Sequence, residues 1–410
     1  MRAGDGAVRR RTVLTGLGLA PLMLSPALAG AATRTRAQRE LVEALEVFRL
    51  PVNRRGDWIV VRLSTSGGLT GIGDASHGGD DAVTIRYLRQ FLTLLRGRSI
   101  VDVEQFRRAA TEAMGSNPLP QAFAAASALE QCLWDLMGKA LGVPTYDLFG
   151  GRLRERIRLY ANINRSTDPR TPEGFAGMAQ SATVAGFGAV KLAPFDAMPL
   201  GLRDRAQVAA FADAGVACAQ AVRDAIGPNS ELLIDVHSRF GLADGLALAE
   251  RLRPLRLFWL EEVTPAAPLS DLAAVNKAAT MPTAGGESIH GVRAFYDYIR
   301  AGAVDIVMPD VKICGGMLEM KKIAAIAEAA NLQVSPHGPA SPVGNAAAAH
   351  VASTLPNFTI LEHAYGEVPW RADLVAPAEE IDRGNIVLSA RVGLGIELNA
   401  ATLARRGMAV

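Results

Sequence analysis

The chain has 410 residues, 49% of them hydrophobic, and a net charge of +2. It is too long for one small domain and holds enough apolar matter for a large core plus a second domain. No basic stripe with interleaved aromatics points to nucleic acid, and no acidic tail points to disorder.

Residues 1–29 read as a leader. Arg9, Arg10 and Arg11 precede Thr12-Val13-Leu14, and an apolar stretch broken by Gly and Pro ends in Ala27-Leu28-Ala29. That order of basic segment, short apolar segment and Ala-x-Ala site describes a signal peptide rather than a membrane span. The paired arginines point to twin-arginine export in a bacterium, hence a periplasmic or secreted protein, with a general secretory signal as the alternative. Cys132, Cys218 and Cys314 are odd in number and far apart, so no disulfide framework is expected. They read as small buried apolar residues.

Past a polar joint, the segment 44–75 reads as a three-stranded meander with turns at Asn53-Arg54-Arg55-Gly56 and Ser66-Gly67-Gly68. Helical patterns follow over 81–97, 102–114 and 120–141, the last closed by Gly142 and Pro144. Strands followed by helices suggest an α+β domain over 40–155, which the resemblance given below identifies as a capping domain. From residue 156 to 370 strands and helices alternate. The strand candidates are RLYANIN (158–164), AVKLAP (189–194), LLIDVH (232–237), LFWLEEV (257–263), PTAGGES (282–288), DIVMPDV (305–311), QVSPHG (333–338) and FTILEHA (358–364). Eight such units predict an α/β fold, a (β/α)8-type barrel of the TIM kind. Residues 371–410 hold no ninth unit and are expected to pack on the capping domain.

Asp235, Glu261 and Glu287 close three successive strand candidates, each 26 residues from the last. Equal spacing puts them at equivalent ends of parallel strands, where a barrel gathers its active site. Three converging carboxylates repel unless a cation sits among them, and all-oxygen ligation favours Mg²⁺. The other strands end in Lys191, Asp310, His337 and Glu362, while His237 stands two residues beyond Asp235 and so shares its face if the strand continues. Singly, each has a bland explanation: a solvated lysine, a helix-capping aspartate, a structural histidine. Jointly they point to a metal-assisted acid–base site, with His337 as base and His237 as acid. Glu262 reads as an outer acid or a partner of Lys191. Tyr160, Asn162 and Asn164 alternate along the first barrel strand and are candidates to line the pocket, as are Arg239 and, in the loop GDASHGGDD, His77. The stretch APFDAMPLGLRDR reads as an extended loop over the mouth. His350 reads as structural, His290 as capping or orienting, and His363 as pointing away from Glu362.

The pattern resembles the enolase superfamily, in particular its mandelate racemase subgroup. The resemblance rests on ALEQCLWDLMGKALGVPTYDLFGG (128–151), WLEE (259–262), GGES (285–288), MPDVKICGG (308–316) and SPHGPASPVG (335–344), and covers nearly all of the chain after the leader. It implies Mg²⁺ on Asp235, Glu261 and Glu287, an Asp310–His337 dyad with His337 as base, and Glu362 hydrogen-bonding the substrate. Two departures stand out. Members with Lys-x-Lys at the second strand use the second lysine as an opposite-face base, but here the stretch is Lys191-Leu192-Ala193. The usual Glu-Glu-Pro is Glu261-Glu262-Val263. The first departure weakens a two-base racemase. Asp235-Val236-His237 instead resembles acid-sugar dehydratases, in which this histidine protonates the leaving hydroxyl.

The resemblance thus implies a lyase: loss of the C2 proton to His337, Lys191 adding charge at the carboxylate, and loss of the C3 hydroxyl with a proton from His237. The substrate class is an aldonic or aldaric acid. A racemase, epimerase or cycloisomerase on the same scaffold is one alternative, and an exported solute-binding protein is another. Neither a nucleic-acid partner nor a membrane partner after leader removal is expected, and assembly into a homo-oligomer is.

Overall fold

The computed structural model describes residues 35–53, 56–76 and 79–410. The leader and His77 lie outside the described residues.

Strands β1 (Val42–Asn53), β2 (Gly56–Thr65) and β3 (Thr70–Asp74) form the antiparallel meander, with Val47 opposite Val61 and Phe48 opposite Val60. Three helices follow, Asp81–Leu95, Val103–Met114 and Pro120–Leu141. The third begins on Pro120, where no N–H is needed, and ends at Gly142, whose φ of 72° suits glycine. It lies so close to β3 that a Cβ on Gly73 would sit 2.1 Å from the Ala128 carbonyl. Glycine at that position is a packing requirement.

The barrel strands are β4 (Arg156–Asn162), β5 (Ala189–Leu192), β6 (Glu231–Asp235), β7 (Trp259–Glu261), β8 (Thr283–Gly285), β9 (Ile306–Val307), β10 (Gln333–Val334) and β11 (Leu361–Ala364). They pair in parallel in chain order, and β11 returns to β4 with Leu361 opposite Leu159. A parallel bridge from Val334 to Phe358 closes the remaining gap. Side-chain alternation sorts two layers. Tyr160, Ala189, Leu233, Trp259, Ala284, Ile306, Met308 and Ile360 pack together inside the barrel. Their strand neighbours, such as Leu159, Ala161, Leu232 and Ile234, join the core under the helices. Two residues beyond an inward position the chain faces inward again. That parity carries Asn162, Lys191, Asp235, Glu261, Asp310 and Glu362 to the C-terminal mouth.

The tail reaches the capping layer and, beyond the expectation, the barrel. The hairpin Ile381–Asp382/Asn385–Val387 pairs antiparallel with β4, Ile386 opposite Ile157, while Met408–Ala409 pairs with β1. Strand β4 starts before its parallel neighbours reach it, at Arg156, and the hairpin pairs with that open edge. The tail therefore binds both the barrel and the capping layer. Among the described residues no helix is long and apolar enough to cross a membrane.

Candidate active site

A cavity of about 350 Å³ opens at the C-terminal mouth, lined by Asn162, Asn164, Arg165, Lys191, Asp235, His237, Glu287, His290, Asp310 and His337 among others. Its size and its few convergent polar groups suit a small ligand.

Lys191 is the hub. Its Nζ lies 3.0 Å from Glu261, 3.4 Å from Glu362 and 3.8 Å from Asp235. Burial opposes its charge, yet Glu261 and Glu362 raise it well above the ordinary lysine value. Glu261 also accepts from Trp259 Nε1 at 2.9 Å. The expected partner Glu262 does not bond Lys191. With φ at 42° its backbone turns away, and its side chain accepts from Ser238 Oγ at 3.4 Å.

Asp235, His237 and Glu287 each present a ligand atom within 4.8 Å of the others. Glu261 stands outside this close group because Lys191 and Trp259 hold both its oxygens. A hard divalent ion fits the donor set on two observations. Glu287 Oε2 is buried with no well-aligned hydrogen bond, although His337 Nε2 lies 3.1 Å away. Glu261 and Glu262 are both pushed up to about 8, by burial first and then by neighbouring carboxylates that include Asp235 and Glu287. Anionic oxygens crowded to that degree are what a cation relieves.

His337 Nδ1 donates to Asp310 Oδ2 at 2.8 Å, leaving Nε2 on the cavity side. The same oxygen accepts from Lys312 Nζ at 2.7 Å, a fully buried contact absent from the sequence-based expectations. Burial alone would lower the imidazole, but Glu287, Glu362 and Asp310 raise it to about 9.

His237 reaches the cavity by a route other than strand alternation. The strand ends at Asp235, and His237 and Ser238 have φ of 47° and 57°. This left-handed turn folds the ring back until Nε2 lies 2.9 Å from Asp235 Oδ2. Nδ1 donates to Asp196 Oδ1. Burial opposes the imidazolium, but Asp235 and Asp196 raise it well above the ordinary histidine value. Asp196 stood in the sequence only as part of a loop.

Three residues expected to meet a ligand are not among those lining the cavity. Glu362 is fully buried and accepts from Tyr160 Oη at 2.9 Å, from Asn162 Nδ2 and from Gly338 N at 3.0 Å. Burial would raise it, but Lys191 and His337 hold it well below the usual carboxylate range. Its oxygens are engaged by these donors, with Lys191 Nζ 3.4 Å away. Tyr160 lies in the interior layer beneath the cavity. Arg239 follows the left-handed turn outward and donates to the Met198 carbonyl at 2.7 Å, away from the cavity lining.

Asn162 and Asn164 do line the cavity, with Asn164 N donating to Asn162 Oδ1 at 2.8 Å. His290 lines it too, its ring stacked on Phe123 of the capping layer at 4.4 Å. His350 is buried and accepts from Tyr146 N at 3.2 Å. His363 stacks on Phe187, on the opposite side of β11 from Glu362.

The family model described as Mandelate racemase / muconate lactonizing enzyme, N-terminal domain, matches residues 48–150, and that described as Enolase C-terminal domain-like matches residues 175–402. A D-xylonate dehydratase of Haloferax volcanii is 30% identical over 365 residues, 87% of each chain. A D-galactonate dehydratase family member of Streptomyces bingchenggensis is 30% identical over 393 residues, 91% of this chain and 95% of its own. A solved mandelate racemase/muconate lactonizing enzyme-like protein from Rubrobacter xylanophilus superposes with a TM-score of 0.83 at 30% identity, covering 90% of this chain and 98% of its own.

Proposed function

Since the chain belongs to the mandelate racemase/muconate lactonizing enzyme family of the enolase superfamily, we propose that it is a Mg²⁺-dependent hydro-lyase converting an aldonic acid to its 2-keto-3-deoxy acid. The observation that carries this is the pair of carboxylate-held histidines, His337 on Asp310 and His237 on Asp196, facing one cavity beside the Asp235–Glu287 cluster. Asp235 and Glu287, with Glu261 beside them, would hold the divalent ion, which supplies Lewis-acid stabilisation of charge developing on the substrate carboxylate.

The chain's own groups do the rest. Lys191, kept cationic by Glu261 and Glu362, adds fixed positive charge at the same end of the substrate. Asp310 holds Nδ1 of His337, so in the neutral ring Nε2 carries the free lone pair and is the atom that takes the C2 proton. The electron pair left at C2 forms the C2–C3 double bond as the C3–O bond breaks. His237 Nε2 gives its proton to the departing oxygen, water leaves, and the enol tautomerises to the ketone.

A Lys191-based racemase is disfavoured, because an ammonium held by three carboxylates is a poor proton acceptor. Membership of an enzyme family replaces the solute-binding alternative. The choice of a monocarboxylate over an aldaric acid rests on charge. Among the described residues the cationic side chains lining the cavity are already paired, Arg165 with Glu367 at 2.9 Å and Lys191 with Glu261. A second substrate carboxylate would therefore lack a free counter-charge. Export through the leader is part of the proposal and is checked by replacing Arg10 and Arg11 with Lys and following the mature protein in the periplasm.

The direct test is proton NMR in D₂O with Mg²⁺ and a panel of aldonic and aldaric acids. A 2-keto-3-deoxy product from an aldonic acid is the expected result. Deuterium entering C2 with the skeleton intact would replace dehydration by racemisation or epimerisation.

A further inference from the structure

We infer that Asp196 is the positioning residue of the leaving-group acid: it fixes the ring of His237 through Nδ1, so that Nε2 faces Asp235 and the cavity. This rests on the dehydratase reading for its chemistry but on geometry alone for the positioning. Asp196 lies three residues past the place where the second lysine of Lys-x-Lys would stand, on the loop leaving β5. His237 comes from the turn leaving β6. The two meet through the Nδ1–Oδ1 hydrogen bond, and a carboxylate can only accept, so Nδ1 must carry the proton.

Asp196 is itself held. Arg170, from the segment leaving β4, donates to Asp196 Oδ2 at 3.0 Å, to the Asn164 carbonyl at 2.7 Å, to Asn164 Oδ1 at 2.8 Å and to the Ala193 carbonyl at 2.7 Å. Asn164 Oδ1 also accepts from Ala193 N at 3.2 Å. Three successive strand-end loops are thereby tied together around one carboxylate. The arrangement supplies what the left-handed turn at His237 lacks. That turn brings Nε2 to within 2.9 Å of Asp235, and the bond from Nδ1 to Asp196 holds the other edge of the ring, so the two carboxylates together select one orientation. The same Asp–His logic holds His337 on Asp310, so each proton-handling ring has its own carboxylate.

The test compares wild-type protein with Asp196→Ala and Asp196→Asn, loaded with Mg²⁺ in D₂O. It reads two rates: formation of the 2-keto-3-deoxy acid, and deuterium entry at C2 of recovered substrate. Dehydration by Asp196→Ala is expected to fall roughly 10- to 100-fold in kcat with little change in KM, while C2 exchange persists. Asp196→Asn, which keeps an acceptor for Nδ1–H, should recover part of the loss. Equal loss of both rates, or loss of neither, overturns the inference. NMR of ¹⁵N-histidine protein separates it from the reaction. The hydrogen-bonded Nδ1 proton of His237, assigned with His237→Asn, should vanish in Asp196→Ala. If it persists the positioning claim is wrong, and if it vanishes in a protein that dehydrates nothing, only the dehydratase reading fails.

Discussion

Replacing Lys191 by methionine should have opposite effects on metal binding and on catalysis. The side chain is 1% exposed and its Nζ lies between 3.0 and 3.8 Å from Glu261, Glu362 and Asp235. Removing one partner of a buried ion pair costs about 3–5 kcal/mol, because the other charge is left uncompensated. The metal-free variant should therefore unfold at markedly lower temperature. A divalent ion can take over that compensation. Two unit charges about 4 Å apart at an effective dielectric near 20 interact by roughly 4 kcal/mol. If a third of that is returned on binding, Mg²⁺ binds about tenfold more tightly. Catalysis should move the other way, by roughly 10²–10³-fold, since fixed charge at the carboxylate end is lost. Calorimetric titration of the metal-stripped proteins, thermal unfolding with and without Mg²⁺, and the C2 exchange rate read the three effects. Weaker Mg²⁺ binding by Lys191→Met, or unchanged stability, would refute the view of Lys191 as an internal counter-cation.

Further expectations follow from the same geometry. Glu287→Gln removes the charge of a buried oxygen without an aligned partner, so it should abolish stabilisation by Mg²⁺, and below about pH 9 it should also lower the metal-free unfolding temperature because the imidazolium of His337 loses the carboxylate 3.1 Å away. His337 is raised from 6.5 to about 9, so the metal-free fold binds more protons than the unfolded chain between those values. Its contribution to stability is complete below pH 6.5 and is lost as pH rises through about 9, a slope that His337→Asn should reduce in denaturation measured across that window. The same variant should lose C2 exchange by roughly 10²–10⁴-fold. Gly316→Ala should destabilise by about 3–5 kcal/mol, since φ is 102° and the new Cβ would sit 2.3 Å from Glu130 Oε2. In a Glu130→Ala background that cost should shrink to the backbone strain alone, which a double-mutant cycle measures.

The barrel was legible because parallel strands buried on both faces leave short apolar runs, and because parity is conserved along a strand. From Leu233 one can count to Asp235, and from Trp259 to Glu261, without seeing either. Counting fails where the strand stops. His237 shares a cavity with Asp235 through a left-handed turn, and Arg239 is carried outward by the same turn. Asp196 was invisible in its role because a loop has no period, and only folding sets it against a ring 41 residues on. Glu261 showed as a candidate ligand, but its capture by Lys191 depends on distances across the barrel that spacing does not encode. The tail does reach the capping layer through Met408–Ala409, but its pairing with the barrel was not legible, because two- and three-residue strands carry almost no pattern and their partner is an edge exposed by the stagger of β4.

Glu130 belongs to the capping helix Pro120–Leu141, yet its carboxylate accepts from Met317 N at 2.7 Å and Leu318 N at 2.9 Å, the first turn of the barrel helix Met317–Ala329. That helix directly follows the loop carrying Asp310 and Lys312, and Gly316 leaves no room for a side chain between the two parts. Anyone dissecting this enzyme for engineering inherits the consequence. A trimmed barrel would lose the acceptor for its own helix start, and a cap grafted from a relative would have to bring a carboxylate to the same spot. The start of that barrel helix is satisfied from outside the barrel, so the unit that can be shuffled between scaffolds is the whole two-part body.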